Sequence, residues 1–108
     1  ILKPFVREQC RWVVETHGDF QMVYYGHLTE GGDQHKRDRH KGHRYFADCA
    51  QFCERWDQSS FDPEYDTLPL DFFREMVRDV FARDPYDKAV MGAADQPLMN
   101  ADKAAERA

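Results

Sequence analysis

The chain has 108 residues and a net charge of −5, from 20 acidic and 15 basic side chains. This length allows one domain at most, and the acidic excess argues against general nucleic-acid binding. No apolar run is long enough to predict a membrane span. Ile, Leu, Val and Phe make up only about 19% of the residues, so we expect a thin core, as in part of a larger domain.

The cysteines are few and odd in number: Cys10, Cys49 and Cys53. This usage argues against a secreted disulfide scaffold and favours a reducing, cytoplasmic compartment.

Two helices are predicted in the first quarter of the chain. Apolar side chains recur at one-turn spacing at Val6, Cys10, Val13 and Val14. The next position on this stripe is His17, and Gly18 is a common helix stop, so we predict a helix over 4–17 with His17 as its last inward residue. A shorter second helix is predicted over 20–28, capped by Asp19.

The segment that follows is polar and, over residues 36–44, strongly basic. The string KRDRHKGHR holds five Lys or Arg, two His and one Asp, so the rest of the chain carries about −9. A solvated loop is the plain interpretation, and contact with an anionic substrate is the alternative. The candidate substrate-binding residues are Arg37, Arg39 and Arg44. The loop histidines His27, His35, His40 and His43 are expected on the surface.

A third helix is predicted over 44–58. Its inward stripe consists of Phe46, Cys49, Ala50, Cys53 and Trp56. At 100° per residue, Asp57 lies about 20° from Phe46, so the pattern predicts an aspartate on a buried face.

A fourth helix is predicted over 69–83, beginning at Pro69, and a weakly ordered tail over 88–108. The inward stripe of this helix consists of Phe73, Met76, Val77, Val80 and Phe81. No strand pattern is visible, so the predicted fold class is all-α, a partial bundle of about four helices.

His17 and Asp57 are polar residues on otherwise apolar stripes. A satisfied core histidine and a salt bridge from Asp57 to Arg55 are the ordinary explanations, because buried polar groups need partners. Equivalent inward positions on two helices favour a metal site instead, and imidazole plus carboxylate suits iron, manganese or zinc. Cys49 and Cys53 could add to a zinc site with His17, but plain core packing is the stronger interpretation.

Two segments carry a resemblance to a known family. The strings VVETHGDF (13–20) and FCERWD (52–57), with the continuation to residue 85, resemble the C-terminal half of an HD-domain protein. The similar branch contains inositol oxygenase and the phosphonate-cleaving HD oxygenases. The resemblance covers about residues 4–87, and we therefore predict that residues 1–87 are the C-terminal part of an HD-like helical domain.

The resemblance implies a helical bundle with six ligands around two metals. His17 matches the last histidine and Asp57 the final aspartate; the earlier histidines and the His-Asp doublet would lie before Ile1. The implied cofactor is a divalent metal, in the oxygenase branch a di-iron pair that activates dioxygen. The wider superfamily uses a similar centre to hydrolyse phosphate esters.

The chain departs from the family at the substrate anchors. Inositol oxygenase has a lysine four residues after the final aspartate, where Phe61 stands here. The phosphonate-cleaving branch tends to have a lysine four residues after the last histidine, where Gln21 stands, and two arginines where Glu54 and Arg55 stand. The resemblance at the metal ligands still implies part of a di-iron oxygenase-like enzyme that acts on a small polar or anionic substrate. A missing N-terminal half or a second chain would complete this enzyme. The alternatives are a metal-dependent phosphohydrolase and a non-catalytic helical module completed by a partner.

Overall fold

A computed structural model describes residues 1–95, in which the helices are joined by turns and irregular segments and no strand occurs. The four α-helices in this range are α1 (Glu8–Tyr25), α2 (Phe46–Phe52), α3 (Leu70–Phe81) and α4 (Lys88–Met91). The predicted all-α class is confirmed. The described residues form two compact units, one of Trp12–Tyr65 and one of Ile1–Arg11 with residues 66–95.

Helix α1 is a single helix where the sequence predicted two. The predicted stop at Gly18 is wrong, because α1 continues to Tyr25. A glycine inside a helix costs about 1 kcal/mol relative to alanine. Burial of Val13 before it and Phe20 after it offsets that cost. Gly18 lies on an exposed face, where a Cβ atom would meet nothing within 4 Å.

The core of the Trp12–Tyr65 unit is small and built on aromatic rings and thiols. Its buried hydrophobic side chains are Trp12, Val13, Phe20, Tyr45, Cys49 and Cys53. The predicted stripe is wrong at Val14, which is 52% exposed, and it left out Trp12. A tryptophan has far more apolar area to bury than a valine, so the helix rotates to place Trp12 inward.

The predicted third helix changes its winding along its length. After α2, the chain forms a π-helical turn over Cys53–Asp57 and a 3₁₀ turn over Gln58–Phe61. Contacts to α1 follow the chain direction at both ends: Thr16 Oγ1 lies 3.7 Å from Cys49 Sγ, and Tyr25 Oη donates to Gln58 Oε1 at 3.3 Å. The chain from α2 through the 3₁₀ turn, residues 46–61, therefore runs in the same direction as α1.

The second unit contains α3, which confirms the helix predicted over 69–83 and begins directly after Pro69. Its predicted inward stripe is largely exposed: Phe73, Met76, Val77 and Phe81 are 36–53% accessible. At the C-terminal end of α3, the Phe81 ring meets the Phe5 ring edge-on at 5.2 Å. The expectation of an inward stripe is therefore wrong for most of this face.

The chain after α3 returns to the N-terminal segment. Arg83 Nη1 donates to the Phe5 carbonyl at 2.8 Å, and Tyr86 N donates to the Pro4 carbonyl at 2.7 Å. The predicted tail begins with α4, and its residues 96–108 lie outside the described part. None of the helices in residues 1–95 combines the length and apolar character needed to cross a membrane.

Candidate functional site

His17 lies on α1, half-buried, with its ring turned back along its own helix. Its Nδ1 is 2.7 Å from the Val14 carbonyl and 3.2 Å from the Val13 carbonyl. Since a carbonyl only accepts, Nδ1 carries the hydrogen, and in the neutral ring Nε2 carries the lone pair. The ring also meets Phe52 edge-on at 5.7 Å. Metal-binding histidines use this same tautomer, with Nδ1–H fixed by a backbone carbonyl.

Asp57 is the last residue of the π-helical turn and is half-buried. The Asp57 Oδ2 atom accepts a hydrogen bond at 2.7 Å from the side-chain amide of Gln21, which lies on α1. Asp57 is therefore less buried than the regular helical spacing predicted. π-Helical turns are rare and occur frequently at functional sites.

His17 and Asp57 both lie where α1 packs against the π-helical turn, but at positions about one helical turn apart along these elements. Gln21, which holds Asp57, is four residues after His17 on α1. Cys53, four residues before Asp57, donates its thiol hydrogen to the His17 carbonyl at 3.6 Å. Within residues 1–95 no group of three His, Cys, Asp or Glu is placed to hold a metal ion. The described residues therefore offer at most an incomplete ligand set.

The two cysteines of the third predicted helix pack in the core, as predicted. Cys49 and Cys53 are 0% and 1% exposed and are not joined in a disulfide. A hydrogen bond with Cys49, together with burial, raises the pKa of the Cys53 thiol above its usual range. The same hydrogen bond lowers the pKa of the Cys49 thiol, against the opposing effect of its burial.

The carboxylate of Asp19, on α1, contacts three side chains of the basic segment 36–44. His40 Nε2 lies 2.8 Å from Asp19 Oδ2, Arg39 Nη2 lies 3.2 Å from the same oxygen, and Lys36 Nζ lies 3.9 Å from Oδ1. We call these four residues the carboxylate cluster. The prediction that Asp19 caps a helix is wrong, since it lies inside α1. Burial opposes ionisation, but the His40 hydrogen bond and the Arg39 charge outweigh it and lower the pKa of Asp19.

Aromatic contacts hold the same segment independently of charge. The His43 ring stacks on Trp12 at 4.0 Å with the planes 9° apart, and the His40 ring stacks on Phe20 at 5.9 Å and 13°. His27 and His35 are exposed, as predicted. His40 is half-buried, so the surface prediction is wrong for this residue.

The three candidate substrate arginines have different neighbours. Arg37 lies over the Phe46 ring at 5.7 Å, Arg44 lies over the Tyr45 ring at 4.6 Å, and Arg39 belongs to the carboxylate cluster. Their role in substrate binding stays a prediction. The sequence singled out Asp19 only as a helix cap and Gln21 only as a departure from the family's lysine, and it predicted neither contact. The available signal for Gln21 was its position one turn after His17.

Comparison of the chain with models of protein families, with curated proteins and with solved structures finds no match. The likeness to HD-domain proteins therefore stays a prediction from the sequence.

Proposed function

We propose that this chain supplies two ligands, His17 and Asp57, to the di-metal centre of an HD-domain-like enzyme. The remaining ligands come from outside the chain, either from an N-terminal half or from a second chain. The observation that carries the proposal is the π-helical turn that ends at Asp57. The side chain it presents is held by Gln21, one turn along α1 from His17.

His17 and Asp57 each keep a lone pair with which they can coordinate a metal. The amide of Gln21 occupies one lone pair of Asp57 Oδ2, and a carboxylate has further acceptor sites, including those of Oδ1. His17 has its Nδ1 fixed on backbone carbonyls, which leaves the Nε2 lone pair for coordination. An imidazole and a carboxylate together suit iron, manganese or zinc.

The proposed reaction follows the branch that the chain resembles. There the bound metal pair activates dioxygen; in the alternative, a metal-dependent phosphohydrolase, it activates water. This chain's own contribution is to orient the two ligands and to present the basic segment to a small polar or anionic substrate. We place the enzyme in the cytoplasm, in keeping with its free cysteines.

The test is the metal content of the full-length gene product and of four variants, measured after anaerobic loading with Fe(II). We expect His17→Ala and Asp57→Ala each to lose most of the iron. His27→Ala and Asp66→Ala, which change exposed residues of the same types, should keep it. Unchanged iron in both ligand variants would contradict the proposal.

A second candidate function is a non-catalytic helical module completed by a protein partner. The exposed apolar face of α3, which includes Phe73, Met76 and Val77, favours this alternative. Helix content that rises with protein concentration in the absence of metal would support it. Stoichiometric iron that depends on His17 would argue against it.

A further inference from the structure

The carboxylate cluster contains more basic groups than its single carboxylate can neutralise. Three basic side chains (Lys36, Arg39 and His40) share the two oxygens of one carboxylate, and Arg39 Nη2 contacts both, at 3.2 Å each. Segment 36–44 has five Lys or Arg against one Asp, in a chain whose overall charge is −5. One carboxylate therefore leaves positive charge uncompensated at this point.

The donors suit a phosphate-type anion better than a carboxylate. A phosphate offers more acceptor oxygens than the two of Asp19 and carries up to two negative charges, while a guanidinium fork binds such oxyanions in a bidentate manner. The donors come from three separate side chains, so an anion with oxygens on several sides could contact all of them.

We propose that Lys36, Arg39 and His40 form a binding site for a phosphate-type oxyanion, and that the Asp19 carboxylate occupies this site until the anion displaces it. Asp19 is thus an intramolecular competitor. The inference rests on the proposed function for the role of this anion as part of the substrate.

The site keeps its shape when the anion replaces Asp19, because the segment has other anchors. His43 stacks on Trp12, and His40 stacks on Phe20, without using the carboxylate. Removing the Asp19 charge should therefore leave the three basic groups in place and remove the competitor. Loss of the carboxylate should therefore strengthen anion binding.

The experiment is calorimetric titration of the full-length, metal-free protein with inorganic pyrophosphate at constant ionic strength. We expect Asp19→Asn to bind pyrophosphate about tenfold more tightly than the wild type. Arg39→Gln should weaken the binding about tenfold. Asp38→Asn is the matched control, since it removes one negative charge from the same segment, where Asp38 pairs with His35 and Lys41. It should change affinity by less than about twofold.

Equal strengthening in Asp38→Asn and Asp19→Asn would overturn the proposal, because it would show a general charge effect. Unchanged or weaker binding in Asp19→Asn, with Trp12 fluorescence as in the wild type, would overturn it as well. So would the absence of pyrophosphate binding to the wild type and to Asp19→Asn. Since no metal is present, failure here is distinguishable from failure of the iron measurement.

Discussion

Phe20 should be the most sensitive position of the Trp12–Tyr65 unit. Its side chain is 0% exposed and meets the rings of Phe46 at 5.0 Å and Trp12 at 5.9 Å. Truncating a buried phenylalanine to alanine costs about 3–5 kcal/mol. A chain of this size has a free energy of unfolding of about 5–15 kcal/mol, and one of its two units has less. Phe20→Ala should therefore remove most of the stability of this unit.

Urea unfolding followed by tryptophan fluorescence measures this loss selectively, because Trp12 and Trp56 both lie in the unit. Phe61→Ala is the control: the residue belongs to the same unit but is 56% exposed, so its truncation should cost no more than about 1 kcal/mol. Equal losses in the two variants would refute the assignment of the core.

Two further predictions concern charge and thiols. Asp19→Asn should lower the free energy of unfolding by about 1 kcal/mol at pH 7, through the bond to half-buried His40. Because the pKa of Asp19 is lowered on folding, its contribution is complete above the unfolded value of about 3.9 and fades as pH falls through the folded value. Denaturation at neutral and strongly acidic pH checks this, and an equal loss at both would contradict it. In a thiol-reagent assay, half-exposed Cys10 should react in the native protein, whereas buried Cys49 and Cys53 should react only on unfolding. Equally fast reaction of all three would show that the core is open.

Local patterns predicted the helices but not their continuity. The apolar spacing in 69–83 and the proline before it gave α3 nearly residue by residue. Gly18 was misread as a stop, because burial of Val13 and Phe20 on either side outweighs the local cost of glycine. Helix propensity is a local quantity, whereas this burial depends on residues far along the chain.

The sequence singled out two residues of the candidate site but not the contacts around them, and their role as ligands stays a prediction. His17 and Asp57 stood out as polar residues on predicted apolar stripes. In the structure each contacts the other's element: Asp57 accepts from Gln21 on α1, and the His17 carbonyl accepts from Cys53 in the π-helical turn. The π turn itself has no sequence signal of its own. The pairing of Asp19 with residues 36–40 joins positions about twenty residues apart, so no helical spacing could reveal it.

The central claim, that Asp57 is a metal ligand, is tested most directly by the thermal stability of the full-length protein with and without Fe(II) under anaerobic conditions. A ligand present at 100 times its Kd stabilises the folded protein by about 2.7 kcal/mol, which is a readily measured rise in Tm. We expect this rise in the wild type and in Asp66→Ala, and its loss in Asp57→Ala. A rise in Asp57→Ala equal to that of the wild type would contradict the account.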